Sequence, residues 1–487
     1  MRIPYLLLAS AVLASGCMKA GNDYVRPSAT PPVAFVEPGP WKEAAPSDAI
    51  ARSNWWEIFQ DPVLNRLEED AKTASPRLQA AVARVDQARA ILGYADAGKM
   101  PTLEFAPDAS RYRVSGNRPD QPEKVAGNHE YTTSRFRMPL YASYEVDLWG
   151  KVSRQLESAG KRMEASVASY HTALLTLQGD VAQTYFQLRA ADEEVALLKN
   201  SIELRVRARD LVAARKRGGL ASELDLARIE TELAINEADT LAAEKRRMEL
   251  QHALAVLVGI LPGRLSLEPA GLATLPPVIP SGLPADLLER RPDVAEAERL
   301  LAARNAEIGV AQAAWFPAIR LTGGIGFESA ELSDVLDQQS QIWSLGVSLV
   351  QPIFDGGRLS ANEDRARALY AENLAVYRER LLVAFKEVET SLAALRILDQ
   401  QHESQLRAVN SATRAEQLAT SRYKTGLTNV LELIDAQRTR LLVERVRLQV
   451  RQQQLLASVT LIRALGGGWE DRKYEAEAAP ASRQPGT

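Results

Sequence analysis

Two hydrophobic periods divide the chain. From Lys151 to Arg217 there is no proline, and Met163, Val167, Tyr170, Leu174, Leu177, Val181, Tyr185 and Leu188 recur at steps of three and four. That spacing predicts one helix, about 100 Å long at about 1.5 Å per residue. Gly218-Gly219 ends it, and a partner helix is predicted from Ser222 to Val258, antiparallel because the turn is short. The layout then recurs. A shift of 207 residues superposes Tyr170 on Tyr377, Leu174 on Leu381, Val181 on Val388, Leu188 on Leu395, Arg215 on Arg422, Gly219 on Gly426 and Leu220 on Leu427, the pattern of an internal duplication. The second long helix is predicted from Arg358 to about Lys424. Its partner, Val430 to Leu465, carries Ile434, Leu441, Leu448, Leu455 and Ile462 seven residues apart, a heptad that marks coiled-coil packing. A lone hairpin of this length leaves much apolar surface wet, so a larger bundle or ring is expected.

Before each long helix the period changes to two. In 135–148 Phe136, Met138, Leu140, Ala142, Tyr144, Val146 and Leu148 alternate with Arg135, Arg137, Pro139, Tyr141, Ser143, Glu145 and Asp147. In 342–350 Trp343, Leu345, Val347 and Leu349 alternate with Ser344, Gly346 and Ser348. Both are predicted strands with one apolar and one polar face, paired in hairpins with 102–114 and 318–328. Their length, about 9–11 residues, suits a membrane-spanning strand. Four strands close around no lumen, and open sheet edges are not tolerated in hydrocarbon, so strands in a membrane require several identical chains to pool them in a closed ring.

Asp61-Pro62 is a helix start, with helices predicted to about Ala74 and from Pro76 to about Ala97. Residues 22–53 carry six prolines and read as an extended strap. The amino end has Arg2, an apolar run from Ile3 to Leu13, then Ala14-Ser15-Gly16-Cys17: a signal peptide, too short to span a bilayer. Leu13 to Cys17 resembles the lipobox of bacterial lipoproteins, in which the cysteine becomes the new amino terminus and carries acyl chains. Residue 18 is Met; the Asp that resembles an inner-membrane retention signal is absent there.

Composition and candidate chemistry narrow the function. With 46% hydrophobic and 25% charged residues the chain is too apolar for disorder and too charged for a bundle of membrane helices. Lys+Arg 59 against Asp+Glu 62, a net charge of -3, announces no nucleic-acid partner. Cys17 is the one cysteine, which excludes an internal disulfide and any cysteine-built metal site. His129, His171, His252 and His402 share no metal-binding spacing. Glu145 and Asp147 are better explained as pore-facing strand residues than as a glycosidase pair. Gly323-Gly324-Ile325-Gly326-Phe327 is a strand with small residues, not a dinucleotide fingerprint. No nucleophile–base arrangement is present, and the chain is expected not to be an enzyme and to need no cofactor or metal.

Further strings carry a family resemblance: Asn22-Asp23-Tyr24-Val25-Arg26-Pro27, Trp55-Trp56 with Phe59 and Asp61-Pro62, Leu288 to Val294 with Arg290-Arg291-Pro292-Asp293, and Phe316-Pro317. To these are added Arg422 to Gly426, Leu433 to Arg438, and Leu465-Gly466-Gly467-Gly468-Trp469. The chain resembles the TolC-like outer-membrane efflux channels, and more closely their lipid-anchored OprM-type branch. The resemblance implies an α+β membrane protein: a homotrimeric outer-membrane β-barrel, four strands per subunit, continuous with a long periplasmic α-helical barrel and a mixed equatorial domain. It implies a lipid-anchored exit channel of a tripartite efflux pump, with a periplasmic adaptor and a proton-driven inner-membrane transporter as partners.

The expected division is 1–16 signal peptide, 17–53 lipid-anchored strap, 54–100 equatorial helices, 101–149 first β-hairpin and 150–258 first helical hairpin. It continues with 259–316 equatorial region, 317–356 second β-hairpin, 357–465 second helical hairpin, and 466–487 terminal segment with an unstructured tail. A scaffold role is expected for Arg291, Pro292 and Asp293. By resemblance, Gly219, Leu220, Ser222, Gly426, Leu427 and Thr428 form the tip offered to the adaptor. Leu431, Glu432 and Asp435 line a periplasmic gate of one apolar and several acidic rings, and Tyr423 with Asp225 links the hairpins that close it. Thr428 stands where some relatives carry arginine. The rival reading is a periplasmic or surface coiled-coil scaffold whose strands belong to a soluble head.

Overall fold

The computed structural model describes residues 19–27, 54–115, 130–277 and 291–467. The signal peptide, Cys17, most of the proline-rich strap, His129, Leu288 to Arg290 and the tail lie outside the described residues. The described residues fall into two compact units, one drawn from Met1–Pro27, Asp86–Ala165 and Glu298–Val376, the other from Ser28–Val85, Ser166–Ala297 and Tyr377–Thr487. The helices are α1 (Pro62–Ala74), α2 (Pro76–Ala97), α3 (Lys151–Arg217), α4 (Glu223–Leu257), α5 (Pro292–Ala313), α6 (Arg358–Thr425) and α7 (Val430–Ala464). Among the described residues no helix is long and apolar enough to cross a membrane.

The first unit is built on one antiparallel sheet of β1 (Thr102–Phe105), β2 (Asp108–Val114), β3 (Tyr131–Val146), β4 (Ala318–Ser329) and β5 (Gln341–Val350). The order is β1-β3-β4-β5, with β2 also on β3. The single strand expected over 102–114 is thus two pieces on the same side of β3. Ala106 N–H still reaches the Pro139 carbonyl at 3.2 Å, but Pro107 has no N–H to donate, so the ladder is interrupted there. Pairing of β3 with β4 sets Met138 beside Phe327, Leu140 beside Ile325 and Tyr144 beside Leu321. Pairing of β4 with β5 sets Ile325 beside Trp343 and Leu321 beside Val347. The period of two therefore yields one broad apolar face, on which Trp343 is 78% and Leu345 83% exposed. The opposite face carries Arg137 against Glu328 at 3.1 Å and Glu145 against Lys151 at 2.9 Å. The glycine run lies in β4, where a Cβ on Gly326 would sit 2.4 Å from the Met138 carbonyl oxygen.

Asp147 corrects an expectation. Strand β3 ends at Val146, and the Asp147 carboxylate accepts from the N–H groups of Val152 and Ser153, each at 2.8 Å, capping α3 instead of facing a pore. Asp355 does the same for α6, accepting from Leu359 N–H at 2.8 Å.

The second unit holds the helical hairpins. Helix α3 has 67 residues and α4 has 35; α6 has 68 and α7 has 35. All five heptad residues of α7, Ile434, Leu441, Leu448, Leu455 and Ile462, are buried. The main core packs Trp55, Trp56 and Phe59 with Leu64 and Leu67 of α1, Leu177, Val181 and Phe186 of α3, Leu392 of α6 and Val459 of α7. Asp61 starts α1 as expected: one oxygen accepts from Val63 and Leu64 N–H, the other from the Tyr185 hydroxyl at 2.7 Å. Burial, with Asp61 beside it, pushes the Tyr185 hydroxyl up to about 12. Arg291 is buried at the start of α5. Its guanidinium donates to both Asp293 oxygens (2.9 and 2.7 Å), to Glu387 of α6 (2.7 Å) and to the Ala464 carbonyl that ends α7 (3.1 Å).

Candidate gate and docking tip

Both helical hairpins close through the same turn. At the first, Gly219 takes φ +75°, its N–H donates to the Lys216 carbonyl (3.0 Å), and Leu220 N–H reaches the Arg215 carbonyl (2.8 Å). At the second, Gly426 takes φ +82°, with Gly426 N–H on the Tyr423 carbonyl (3.1 Å) and Leu427 N–H on the Arg422 carbonyl (2.9 Å). A left-handed glycine here satisfies the last helix carbonyls, which a side chain at that φ opposes. Leu220 and Leu427 are left 80% and 70% exposed.

Each turn leads straight into a capped helix. Ser222 accepts from Asp225 N–H at 3.1 Å, and the Asp225 carboxylate accepts from the Ser222 N–H (3.0 Å) and hydroxyl (2.9 Å), a reciprocal capping box. Asn429 accepts from Glu432 N–H at 3.1 Å. The backbone N–H of Ser222 first, then its hydroxyl, hold the Asp225 carboxyl below the usual aspartate range. Thr428 is half-buried, with its hydroxyl oxygen buried and unpartnered.

Behind the turns, Ala208 and Val212 of α3, Ile229 of α4, Tyr423 of α6, and Val430, Leu433 and Ile434 of α7 form one apolar cluster. Helix α7 thereby turns Val430, Leu433 and Ile434 inward and leaves Leu431, Glu432 and Asp435 exposed on its other face. The three expected gate residues share that open face.

The fourth and fifth are not brought together within the chain. Tyr423 is buried, and the Arg215 guanidinium lies over its ring, 4.5 Å from the centroid. Arg215 also donates to the Lys424 carbonyl at 3.1 Å. Asp225 is engaged by Ser222 instead of Tyr423, because capping geometry draws a first-turn carboxylate to its own helix start. Arg215 is the residue that sequence reasoning passed over. Its repetition as Arg422 in the shifted copy was the available signal, but cation and ring sit on α3 and α6, which no local pattern joins. Further down, buried Arg205 of α3 pairs with Glu232 of α4 at 2.8 Å, and Arg440 of α7 pairs with Glu416 of α6 at 2.9 Å. Among the described residues no cluster of His, Cys, Asp or Glu is placed to hold a metal ion.

A sheet with a continuous apolar face and two helical hairpins tens of residues long define the class of a channel-type membrane protein, and comparison with known proteins agrees. Residues 67–260 and 283–467 match the family described as outer membrane efflux protein. The chain belongs to that family. It is 36% identical over 446 residues to the pyoverdine export outer membrane protein OpmQ of Pseudomonas putida, covering 91% of this chain and 94% of the relative. It is 33% identical over 483 residues to outer membrane protein OprJ of Pseudomonas aeruginosa, covering 97% and 98%. The structure of the Campylobacter jejuni outer membrane channel CmeC superposes with a TM-score of 0.87 at 25% identity, covering 93% of this chain and 96% of that one. The chain is an outer-membrane efflux channel protein and not an enzyme.

Proposed function

We propose that three copies of this chain pool their sheets into one outer-membrane barrel and their hairpins into one tunnel, the exit duct of a tripartite efflux pump. The observation that carries this reading is the sheet, with its wide exposed apolar face and two unpaired edges, β1/β2 and β5. Hydrocarbon tolerates that face but not those edges, so neighbouring copies must supply them. Exposed Leu241 and Met248 on α4 and Leu382 and Leu418 on α6 supply apolar contacts for the neighbouring hairpins. The two matching turns, 207 residues apart, and the matching hairpin lengths support an internal duplication, and the nine-part division above follows it. An acylated Cys17 adds an anchor to a body already held by its strands.

The tip of Leu220 and Leu427 docks a periplasmic adaptor, which in turn joins a proton-driven inner-membrane transporter. Two relatives named for pyoverdine export make pyoverdine the cargo to test first. At the tip, threefold symmetry repeats Leu431 as an apolar plug and Glu432 with Asp435 as acidic rings. The Arg215–Tyr423 contact, in place of a Tyr423–Asp225 bond, ties α3 to α6 in the closed form.

Planar-bilayer recording tests the duct and its gate together. Leu431→Ser is expected to raise the conductance of the purified trimer, and Asp435→Ala to weaken block by divalent cations applied at the periplasmic side. A parent protein without conductance, or both variants behaving like the parent, contradicts the reading.

A further inference from the structure

Beside the described start of the chain lies an open groove of about 750 Å³, between the carboxyl end of α2 and the first turns of α3. Its floor is apolar: Leu92 and Leu156, both half-buried, and two helical glycines, Gly93 and Gly160. A Cβ on Gly93 would meet nothing within 4 Å, and one on Gly160 would meet only Leu92 at 3.9 Å, so the groove is deep enough where the glycines stand to admit a further apolar group.

One wall of the groove is Lys19, which is tied to its surroundings. Its ammonium donates to Glu157 at 2.6 Å. The next residue, Ala20, donates its N–H to the Trp149 carbonyl at 3.0 Å and accepts from Arg154 at 3.0 Å, while the Gly21 carbonyl accepts from Arg154 at 2.8 Å. Arg154 is itself 1% exposed, and Asn305 holds the Asn22 carbonyl at 3.0 Å. The segment is therefore clamped to its unit by backbone bonds on successive residues. Cys17 is two residues before Lys19, and two residues reach no more than about 7 Å. By chain length alone, a group attached to Cys17 is therefore within reach of this groove.

We propose that the groove seats an acyl chain of Cys17's own lipid, laying it along Leu92 and Leu156 over Gly93 and Gly160. This rests on the reading of Cys17 as lipidated. The charges around the groove favour that occupant over an anionic phospholipid. Each cation has a carboxylate partner: Lys19 with Glu157, Arg89 with Asp86 at 2.7 Å and Lys99 with Asp96 at 3.2 Å. Among the described residues lining the groove no unpaired cation is left for a phosphate, whereas an uncharged acyl glyceryl group asks for none. The apolar floor supplies what such a chain seeks, and the clamp sets its depth relative to the end of β3.

A photo-reactive phenylalanine derivative placed at 93, or independently at 160, tests the seat in the full-length protein purified from its membrane as assembled oligomers. The same group at Gly263, exposed and also without neighbours within 4 Å, is the control. After illumination, mass spectrometry of the digest is expected to find the amino-terminal lipopeptide joined to the peptide carrying 93 or 160, and no such joining at 263. Free phospholipid joined at 93 and 160 to the same extent in the parent and in Cys17→Ser overturns the proposal. So does an acylated amino terminus that joins neither position. An amino terminus shown by its mass to carry no acyl chain overturns both the proposal and the lipoprotein reading beneath it, and is told apart from the previous result by that mass.

Discussion

Arg291 shows how one side chain joins three helices. Its fork gives both oxygens of Asp293 a donor, closes the end of α7 through the Ala464 carbonyl, and reaches Glu387 of α6. Removing it takes the guanidinium from the Ala464 carbonyl and leaves the half-buried Asp293 carboxylate with the Val294 N–H alone. Arg291→Ala is expected to cost about 1–3 kcal/mol, the range for losing hydrogen bonds to a charged group, and to lower the melting temperature followed by circular dichroism. Arg291→Lys should restore little, because an ammonium cannot present the planar fork that Asp293 and Ala464 share. Full stability in the lysine variant would remove the bidentate argument.

Asp225 works through its charge. Its folded-state carboxyl lies below the usual aspartate range, so its ionised form is the one the capping box prefers. The stabilisation is complete at neutral pH and is lost as pH falls through the ordinary aspartate value of about 4 and below. Amide exchange in the first turn of α4, taken relative to its intrinsic rate at each pH, should therefore quicken on acidification in the parent. In Asp225→Asn it should be faster at neutral pH and lose most of that pH dependence. Identical profiles in the two proteins would show that the cap carries no weight at the tip.

At the scale of elements, the turns make the docking claim testable without disturbing the hairpins. Leu220 and Leu427 touch little, and the hydrogen bonds that these two residues make in the turns come from their backbone N–H groups. Leu220→Asp with Leu427→Asp should leave oligomers intact and sharply reduce cross-linking to the adaptor in cells, with a matching loss of efflux-dependent resistance. Unchanged cross-linking would reduce both turns to helix-stop chemistry. Elements of this length were legible in the sequence because their periods were long and unbroken: α3 begins at Lys151 and α7 at Val430, as the pattern predicted. What was not legible depended on single residues or on distant partners. The polar run Tyr131-Thr132-Thr133-Ser134 extends β3 on cross-strand bonds to β2 and carries no alternation of its own. Pro107 split the first strand, and Asp147 fell on the strand's pattern but serves the helix that follows. Arg215 over Tyr423 needed the packing of α3 against α6 to be seen at all.

The whole molecule poses one question that neither unit answers alone, namely what completes the sheet. Among the described residues, β3 and β4 are paired on both sides, while β1/β2 and β5 each keep one open edge. The apolar face that runs across them, with Trp343, Leu345, Val347 and Leu349 on β5, excludes water as the natural medium for the sheet. In the proposed assembly, closure by three copies would satisfy both edges at once and leave the charged face, with Arg137, Glu328 and Glu145, around a lumen. Single cysteines introduced along β1 and along β5 in the same chain, oxidised in intact outer membranes, read that closure directly, with the parent and its Cys17 as control. The account expects at least one β1–β5 pair to give a ladder on a denaturing gel that rises through two linked chains and stops at three. Monomers from every pair, or a ladder that stops at two or runs past three, would contradict it.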